Sequence, residues 1–249
     1  MILLLGKQGI HAREWVTPAA ALYILHQVLD NLSSDDANST FSGLNYYILP
    51  VVNPDGYEYS HTTDRFWRKN RSANNGSSCM GTDLNRNWNH KWAGPDSWSD
   101  PCHMNYRGAQ PFSELETQAM SKYLLSKTGE IKGYMSLHSY GQNVLFPWAY
   151  SYTRPSDYKD LYDLAYYMAY KIKLENKAIY KFGGAAESYY IASGGSQDWA
   201  KAAAKIKYSY TLELRDTGEY MFSLPPSEIM KASKDAFAAF TVLTQKVKN

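Results

Sequence analysis

The 249-residue chain has neither a long hydrophobic run nor a large excess of charge of one sign. A membrane-spanning helix needs about 20 consecutive apolar residues, whereas the apolar run near the N-terminus covers only Ile2–Leu5. That run lacks the basic and apolar regions of an export signal, so we interpret it as a buried strand. Lysine and arginine number 26 and aspartate and glutamate 24, a formal net charge of +2. We therefore expect neither nucleic acid nor a membrane as a partner.

Cysteine is scarce, with Cys79 and Cys102 alone in the chain. Both lie in a loop-rich region at a spacing that suits a disulfide loop, which would indicate an oxidising compartment. Two buried free thiols are the alternative that the residues leave open. Sequons of the Asn-x-Ser/Thr type weakly favour the first interpretation. They occur at Asn31, Asn38, Asn70 and Asn75.

The spacing of apolar residues predicts strands and helices in alternation. Strands are predicted at Ile2–Leu5, 46–52, 133–139 and 206–214, and helices at 15–31, 113–126, 157–175 and 227–247. This order predicts an α/β fold, with a mixed, largely parallel twisted sheet and helices on both faces. The segment 53–111 has little periodicity and is too long to be a simple connecting loop, so we expect a functional surface there. No repeat or linker interrupts the chain, which favours one domain over residues 1–249.

Two histidines and a glutamate follow predicted strands at the edge where ligands of α/β sheets bind. His11 and Glu14 come directly after the first strand, and His138 interrupts the apolar end of the strand at 133–139. Two imidazoles and one carboxylate leave a fourth position open, which is typical of a catalytic zinc site. For the His-x-x-Glu pattern alone, the alternative is a polar helix start in which Glu14 stabilises the dipole.

A further acid and several arginines accompany this candidate metal site. Glu213 ends the strand at 206–214; ion pairing is the commonest role of such an acid, but beside a metal it is a candidate general base. Guanidinium groups bind carboxylates and stabilise oxyanions, so we predict anion recognition, with a solvated basic face as the alternative. The arginines are Arg65, Arg68, Arg71 and Arg86, the last preceded by Asn85.

With these motifs in place, the chain resembles the pancreatic-type zinc metallocarboxypeptidases, the carboxypeptidase A/B subfamily. The similarity runs from Ile2 to the C-terminus and implies a zinc-dependent exopeptidase that releases single C-terminal amino acids from peptides and proteins. The motifs that carry it are Gly9-Ile-His-Ala-Arg-Glu-Trp15, Asn53-Pro-Asp-Gly-Tyr57, Arg65-Phe-Trp-Arg-Lys69, Asp83-Leu-Asn-Arg-Asn-Trp88, His138-Ser-Tyr140, Ala192-Ser-Gly-Gly-Ser196 and Glu213-Leu-Arg-Asp-Thr-Gly218.

The resemblance implies a role for each site residue. One zinc ion per chain would be held by His11, Glu14 and His138, with Glu213 as the base and Arg68 polarising the scissile carbonyl. Substrate would be bound by Asn85 and Arg86 at its terminal carboxylate, by the closing Tyr190, and by Arg13 and Arg65 in adjoining subsites. The floor of the side-chain pocket would be Gln197, surrounded by Ala149, Ala185, Ala192, Ser196 and Thr211. Because Gln197 carries no charge, we expect a preference for neutral C-terminal residues.

The resemblance also implies a secreted, monomeric protein with a disulfide between Cys79 and Cys102. It implies cis peptide bonds at Ser139–Tyr140, Pro147–Trp148 and Arg215–Asp216. Compared with the family, the catalytic domain is expected to be incomplete at its N-terminus, lacking the opening helix and first β-hairpin, which would leave the strand at 46–52 as an open edge. A catalytically impaired zinc- or peptide-binding remnant is therefore a second hypothesis, and a zinc amidohydrolase acting on a non-peptide carboxylate is a third.

Overall fold

The computed structural model of the chain describes residues 2–5, 9–33 and 39–248. Within them a six-stranded sheet has the strand order β2-β1-β3-β6-β4-β5. The strands are β1 (Ile2–Leu5), β2 (Asn45–Ile48), β3 (Ile131–Ser139), β4 (Asn143–Phe146), β5 (Lys181–Gly184) and β6 (Tyr208–Leu214). The pair of β4 with β6 is antiparallel, and the other neighbouring strands pair in parallel. The mixed, largely parallel sheet predicted from the sequence is therefore confirmed.

Helices cover both faces of this sheet. They are α1 (Val16–Ser33), α2 (Pro54–Thr62), α3 (Leu115–Ser126), α4 (Tyr158–Asn176), α5 (Ala185–Ser188), α6 (Ser196–Ala202) and α7 (Pro226–Lys248), with a 3₁₀ turn at Leu84–Arg86. The four predicted helices correspond to α1, α3, α4 and α7, and their ends agree to within two residues. Helices α2, α5 and α6 were not predicted from the sequence. Helix α2 lies in the polar segment. It begins because Asn53 accepts a hydrogen bond from the Gly56 backbone and Pro54 occupies the first turn.

The core is divided between the two faces of the sheet. On one face, α1, α4 and α7 pack against β3, β4 and β6, and Tyr210 and Leu212 of β6 point into this larger cluster. On the other face, α3 and α6 bury Tyr134, Trp88 and Trp199. The period of two in β6 therefore places Glu213 on the face opposite Tyr210, as its sequence predicts.

The carboxyl ends of the central strands carry the site residues. In the register of β3 with β6, His138 lies directly beside Glu213. The segment that holds His11 and Glu14 leads from β1, which is the other neighbour of β3, into α1. The Ser139–Tyr140 and Arg215–Asp216 peptide bonds directly after these strands are cis, as is Pro147–Trp148. All three agree with the resemblance.

Four features away from this edge also bear on the predictions from the sequence. The predicted strand at 46–52 is the shorter edge strand β2, and a cavity of about 930 Å³ lies beside it between α1 and α3. Cys79 and Cys102 form a disulfide. Asn70 is only 2% exposed and donates to Glu114, so this sequon is inaccessible to a glycan in the folded chain. No helix within residues 9–33 or 39–248 is long and apolar enough to cross a bilayer.

Candidate active site

Three buried side chains meet at the carboxyl edge of the sheet. Glu14 Oε1 lies 2.7 Å from His11 Nδ1, and Glu14 Oε2 lies 3.1 Å from His138 Nδ1. The two imidazole Nδ1 atoms are 3.2 Å apart. The candidate ligand atoms of all three residues lie within 4.8 Å of one another. Two ring nitrogens and a carboxylate facing a common point fit zinc, which accepts this mixed nitrogen and oxygen set.

The carboxylate of Asp83 lies between His11 of this cluster and Arg68. Its Oδ1 lies 3.3 Å from His11 Nε2, while its Oδ2 is 2.8 Å from Nη2 of Arg68 and accepts from Nε of the same residue at 2.9 Å. A carboxylate at the distal ring nitrogen holds a histidine in the tautomer whose other nitrogen can bind a metal. Asp83 begins the motif at residues 83–88, but the family resemblance gave it no role. Only the fold shows that it faces His11.

The carboxylates of the site differ in their electrostatic surroundings. Burial alone would raise the pKa of Asp83, but Arg68 and Arg86 outweigh it and hold that pKa well below its usual range. Burial also opposes ionisation of Glu14, yet the adjacent His11 and His138 lower its pKa overall. Both groups are therefore anionic at neutral pH, which suits a metal ligand and the group that orients one.

The pKa of Glu213 is shifted in the opposite direction. It is 7% exposed at the end of β6, and burial followed by repulsion from Glu14 raises its pKa well above the usual value, although Arg68 partly counteracts this. A carboxyl group whose proton is held more tightly than in water is suited to accepting and returning protons. The lone acid that the sequence places at a strand end is thus buried beside the candidate metal ligands.

Asn85 and Arg86 lie in the 3₁₀ turn Leu84–Arg86. Asp83 caps this turn by accepting a hydrogen bond from the Asn85 backbone N–H. Arg86 Nη2 forms an ion pair of 2.6 Å with Asp96, and Nε donates to the backbone carbonyl of Asp96 at 2.7 Å. Burial would lower the pKa of Arg86, but Tyr190, Asp83 and Asp96 raise it overall. Asp96 was not predicted from the sequence, because a single acid in an aperiodic loop carries no recognisable signal.

Tyrosines and a further arginine lie at the mouth of the site. Tyr190 is 43% exposed, and its ring centroid lies 5.9 Å from the guanidinium carbon of Arg86. The neighbouring Tyr189 donates its hydroxyl to the Tyr140 carbonyl. Arg13 stacks over Phe222 at 4.1 Å, and burial followed by repulsion from Arg68 lowers its pKa.

The candidate metal ligands, Glu213, Arg68, Arg86 and Tyr190 open into one cavity of about 270 Å³. Its inner part has an apolar wall built by Leu145, Ala149 and Ala185, which form a small cluster of their own. Gln197 Oε1 and Thr211 Oγ1 are buried there and have no hydrogen-bond partner among the described residues. The inner pocket therefore combines apolar surface with two polar atoms that a ligand can satisfy.

The structure brings most of the residues assigned by resemblance to this cavity. Those that line it are His11, Arg13, Glu14, Arg68, Asn85, Arg86, His138, Ala149, Ala185, Tyr190, Ala192, Gln197, Thr211 and Glu213. Ser196 lies behind the wall, where its backbone N–H donates to Asn85 Oδ1. Arg65 lines an adjoining cavity of about 300 Å³, stacks over Trp15 at 3.7 Å and donates to the backbone carbonyls of Arg13 and Phe222.

Comparison with known proteins gives consistent matches. Residues 5–239 match the family model described as zinc carboxypeptidase. Carboxypeptidase A2 of Rattus norvegicus is 40% identical over 97% of this chain, and carboxypeptidase B of Astacus astacus is 38% identical over 97%. The chain spans 58% of the length of the first relative and 79% of the second. The solved structure of bovine thrombin-activatable fibrinolysis inhibitor in complex with tick carboxypeptidase inhibitor has a TM-score of 0.93 and 38% identity; the match covers 99% of this chain and 82% of that one.

Proposed function

The chain belongs to the zinc carboxypeptidase family, and we propose that it hydrolyses the C-terminal peptide bond of peptides and proteins, releasing one amino acid at a time. The observation that carries this proposal is the shared cavity: the candidate metal ligands, the buried Glu213 and the carboxylate-binding Arg86 all open into it. A site that combines hydrolytic groups with a receptor for a terminal carboxylate selects chain ends and leaves internal bonds uncut.

The metal would be held by His11, Glu14 and His138, one ion per chain, with Asp83 orienting His11. When bound, zinc supplies a Lewis acid that polarises the scissile carbonyl and makes water more acidic. Asp83 also aligns the Arg68 guanidinium through two contacts to one carboxylate oxygen. Arg68 then stabilises the negative charge that develops on the carbonyl oxygen.

Glu213 carries the proton through the reaction. Its carboxylate accepts a proton from the attacking water and returns it to the leaving amine. Burial favours the protonated form of Glu213, so the proton is retained at this carboxyl group until the amine takes it up. The two transfers leave Glu213 unchanged and supply one proton to the new amino terminus.

The terminal carboxylate of the substrate is bound by Arg86 and Asn85. Arg86 is buried and held by Asp96, so its guanidinium is already oriented before substrate arrives. Tyr190 lies above Arg86 at the exposed rim, where it can close over a bound chain end. Arg13 lines this cavity and Arg65 lines the adjoining one, where they would contact the rest of the peptide.

The inner pocket supports a preference for neutral C-terminal residues. Gln197 and Thr211 offer dipoles without net charge, and the walls are small and apolar. The acidic Asp96 also lines the cavity, but its charge is paired with Arg86 and is not available to a lysine or arginine side chain. A kcat/KM series over C-terminal Phe, Leu, Gln, Lys and Glu tests this preference, and a clear lead for Lys would overturn it.

An extracellular location is supported by the Cys79–Cys102 disulfide. All parts of the proposed site come from a single chain, so the activity requires no second copy. We therefore propose a secreted enzyme that acts as a monomer on peptide and protein substrates.

Mass spectrometry of synthetic peptides incubated with the purified protein, with and without a chelator, tests the activity. We expect stepwise loss of C-terminal residues, abolished by the chelator and restored by zinc. Binding of one zinc ion without any release of amino acids would instead indicate the impaired remnant. Turnover of acylated amino acids with no cleavage of peptides would indicate the amidohydrolase.

A further inference from the structure

A second cavity, which we call the disulfide cleft, lies beside the Cys79–Cys102 bond and has a volume of about 390 Å³. Its walls include two aromatic rings, two methionines and two cationic side chains. These are Tyr59, Trp67, Met80, Met104, Lys69 and Arg71. None of the described residues that line it is acidic, so the cleft presents two positive charges and no negative one.

Arg71 is fixed in the cleft by stacking. Its guanidinium carbon lies 3.7 Å from the centroid of the Tyr59 ring and 4.5 Å from that of Trp67. Within the part of the chain that the structure describes, the guanidinium makes no ion pair or hydrogen bond. Stacking occupies the faces of a guanidinium and leaves its N–H edges available, which is the geometry that recognises an oxyanion.

Lys69 adds a second, more deeply buried cation. It is 5% exposed, and among the described residues the only acceptor for its three N–H donors is the Pro101 carbonyl, 2.6 Å from Nζ. Burial lowers the pKa of Lys69, while Asp83 and Asp100 act against that shift from outside the cleft. A buried ammonium without an ion-pair partner is costly, and an anion in the cleft would offset this cost.

We propose that the disulfide cleft binds a small oxyanion of the size of sulfate or phosphate, either free or as the head group of an ester with an apolar body. Lys69 and Arg71 supply the charge and the hydrogen-bond donors. A bare oxyanion fills only part of the volume, and the remaining surface of Trp67, Met80 and Met104 suits an aryl or alkyl group. The cleft is distinct from the candidate active site, although Met104 lines both cavities.

The test is a titration of the full chain, labelled with ¹³C in its methionine methyl groups, at constant ionic strength. Met80 lines the disulfide cleft but not the active-site cavity, so its methyl resonance reports on the cleft alone. We expect a saturable shift of this resonance with sodium sulfate. Phenyl sulfate distinguishes the sources: tighter binding than sulfate indicates an ester head group, and equal binding indicates the free ion.

Three variants separate this site from the arginines of the active site. Arg71→Met keeps most of the apolar stem and should weaken sulfate binding at least about tenfold, as should Lys69→Met. Arg86→Gln, the matched control, removes a guanidinium of the other cavity and should leave the Met80 titration unchanged. Amide spectra verify that each variant is folded. The proposal is overturned if wild-type Met80 shows no saturable shift, if folded Arg71→Met and Lys69→Met bind sulfate as tightly as the wild type, or if the shift disappears in Arg86→Gln.

Discussion

The carboxylate of Asp96 forms an ion pair of 2.6 Å with Nη2 of Arg86, inside the cavity where a substrate carboxylate would bind. The Asp96 backbone carbonyl accepts a second hydrogen bond from Arg86 Nε, and Asn105 donates to the other carboxylate oxygen of Asp96. The guanidinium is therefore well oriented, but the Asp96 carboxylate already neutralises part of its positive charge. A substrate carboxylate must share this cation with Asp96.

Substitution Asp96→Asn should therefore strengthen substrate binding. The amide oxygen can still accept from Nη2 and the backbone carbonyl still holds Nε, while the competing negative charge is removed. We expect KM for an N-blocked peptide with a free C-terminus to fall roughly threefold or more, with kcat little changed, because this interaction affects ground and transition states alike. A higher KM would show instead that Asp96 serves mainly to orient Arg86.

The proton-transfer role of Glu213 predicts a selective loss of turnover. Glu213→Gln preserves the shape of the side chain but removes its basicity, so kcat should fall by at least about 10²-fold. Zinc content, measured by elemental analysis, should be unchanged, because Glu213 is not among the three residues that meet at the metal site. Retention of most of the activity would contradict the assignment.

Asp83 should control metal affinity without contacting the metal. Asp83→Asn removes the charge that faces His11 Nε2 at 3.3 Å, and loss of such an orienting group typically weakens metal binding about 10- to 100-fold. Competition with a chromophoric chelator measures the change. Asp96→Asn is the matched control, since it removes a carboxylate that pairs with Arg86 and has no contact with His11; it should keep the wild-type zinc affinity.

The raised pKa of Asp198 leads us to expect an unusual dependence of stability on pH. Its carboxyl is buried behind the inner pocket, and burial raises its pKa from 3.8 to about 7, although the backbone N–H groups of Ala149 and Tyr150 oppose this. Between these pH values the folded state binds more protons at this group than the unfolded state does. Its contribution to stability is thus fully present below about pH 4 and is lost as the pH rises towards 7.

The Asp198→Asn variant isolates this contribution. In denaturant unfolding, the stability of the wild type relative to the variant should fall between pH 4 and pH 7, by up to about 4 kcal/mol for a shift of this size. Contributions from the other titrating groups are common to both proteins and cancel in the difference. A difference that stays constant or grows with pH would contradict the assigned shift.

The sequence predicted the long elements and the strand-end residues for a physical reason. In α1, α3, α4 and α7, enough apolar residues recur at the helical period to define an element without knowledge of its partners. Likewise β6 alternates between core and cavity, so the position of Glu213 follows from its neighbours in the chain. Once the central strands are parallel, their carboxyl ends share an edge, which accounts for the approach of His138 to His11.

Short elements could not be predicted in the same way. Strands β4 and β5 have four residues each. The equally short β1 is a continuous apolar run, whereas the sequence of β5, Lys-Phe-Gly-Gly, shows neither such a run nor alternation. Such elements exist because neighbouring strands and helices hold them, and tertiary contacts of this kind leave no periodic signal in the chain. The wall of the inner pocket, built partly by Leu145 of β4, was therefore incomplete in the sequence analysis.

By itself the sequence determined the chemistry that is available: two imidazoles, two carboxylates and several guanidinium groups, placed after strands whose ends must meet. The tertiary structure decided how those groups are paired. Asp83 faces His11 and Arg68, and Asp96 holds Arg86. Lys69 and Arg71 share a cleft in which none of the described lining residues is acidic. Such pairings depend on distances of a few ångströms between loops far apart in the chain. Those distances are set by packing of the whole domain and not by local sequence.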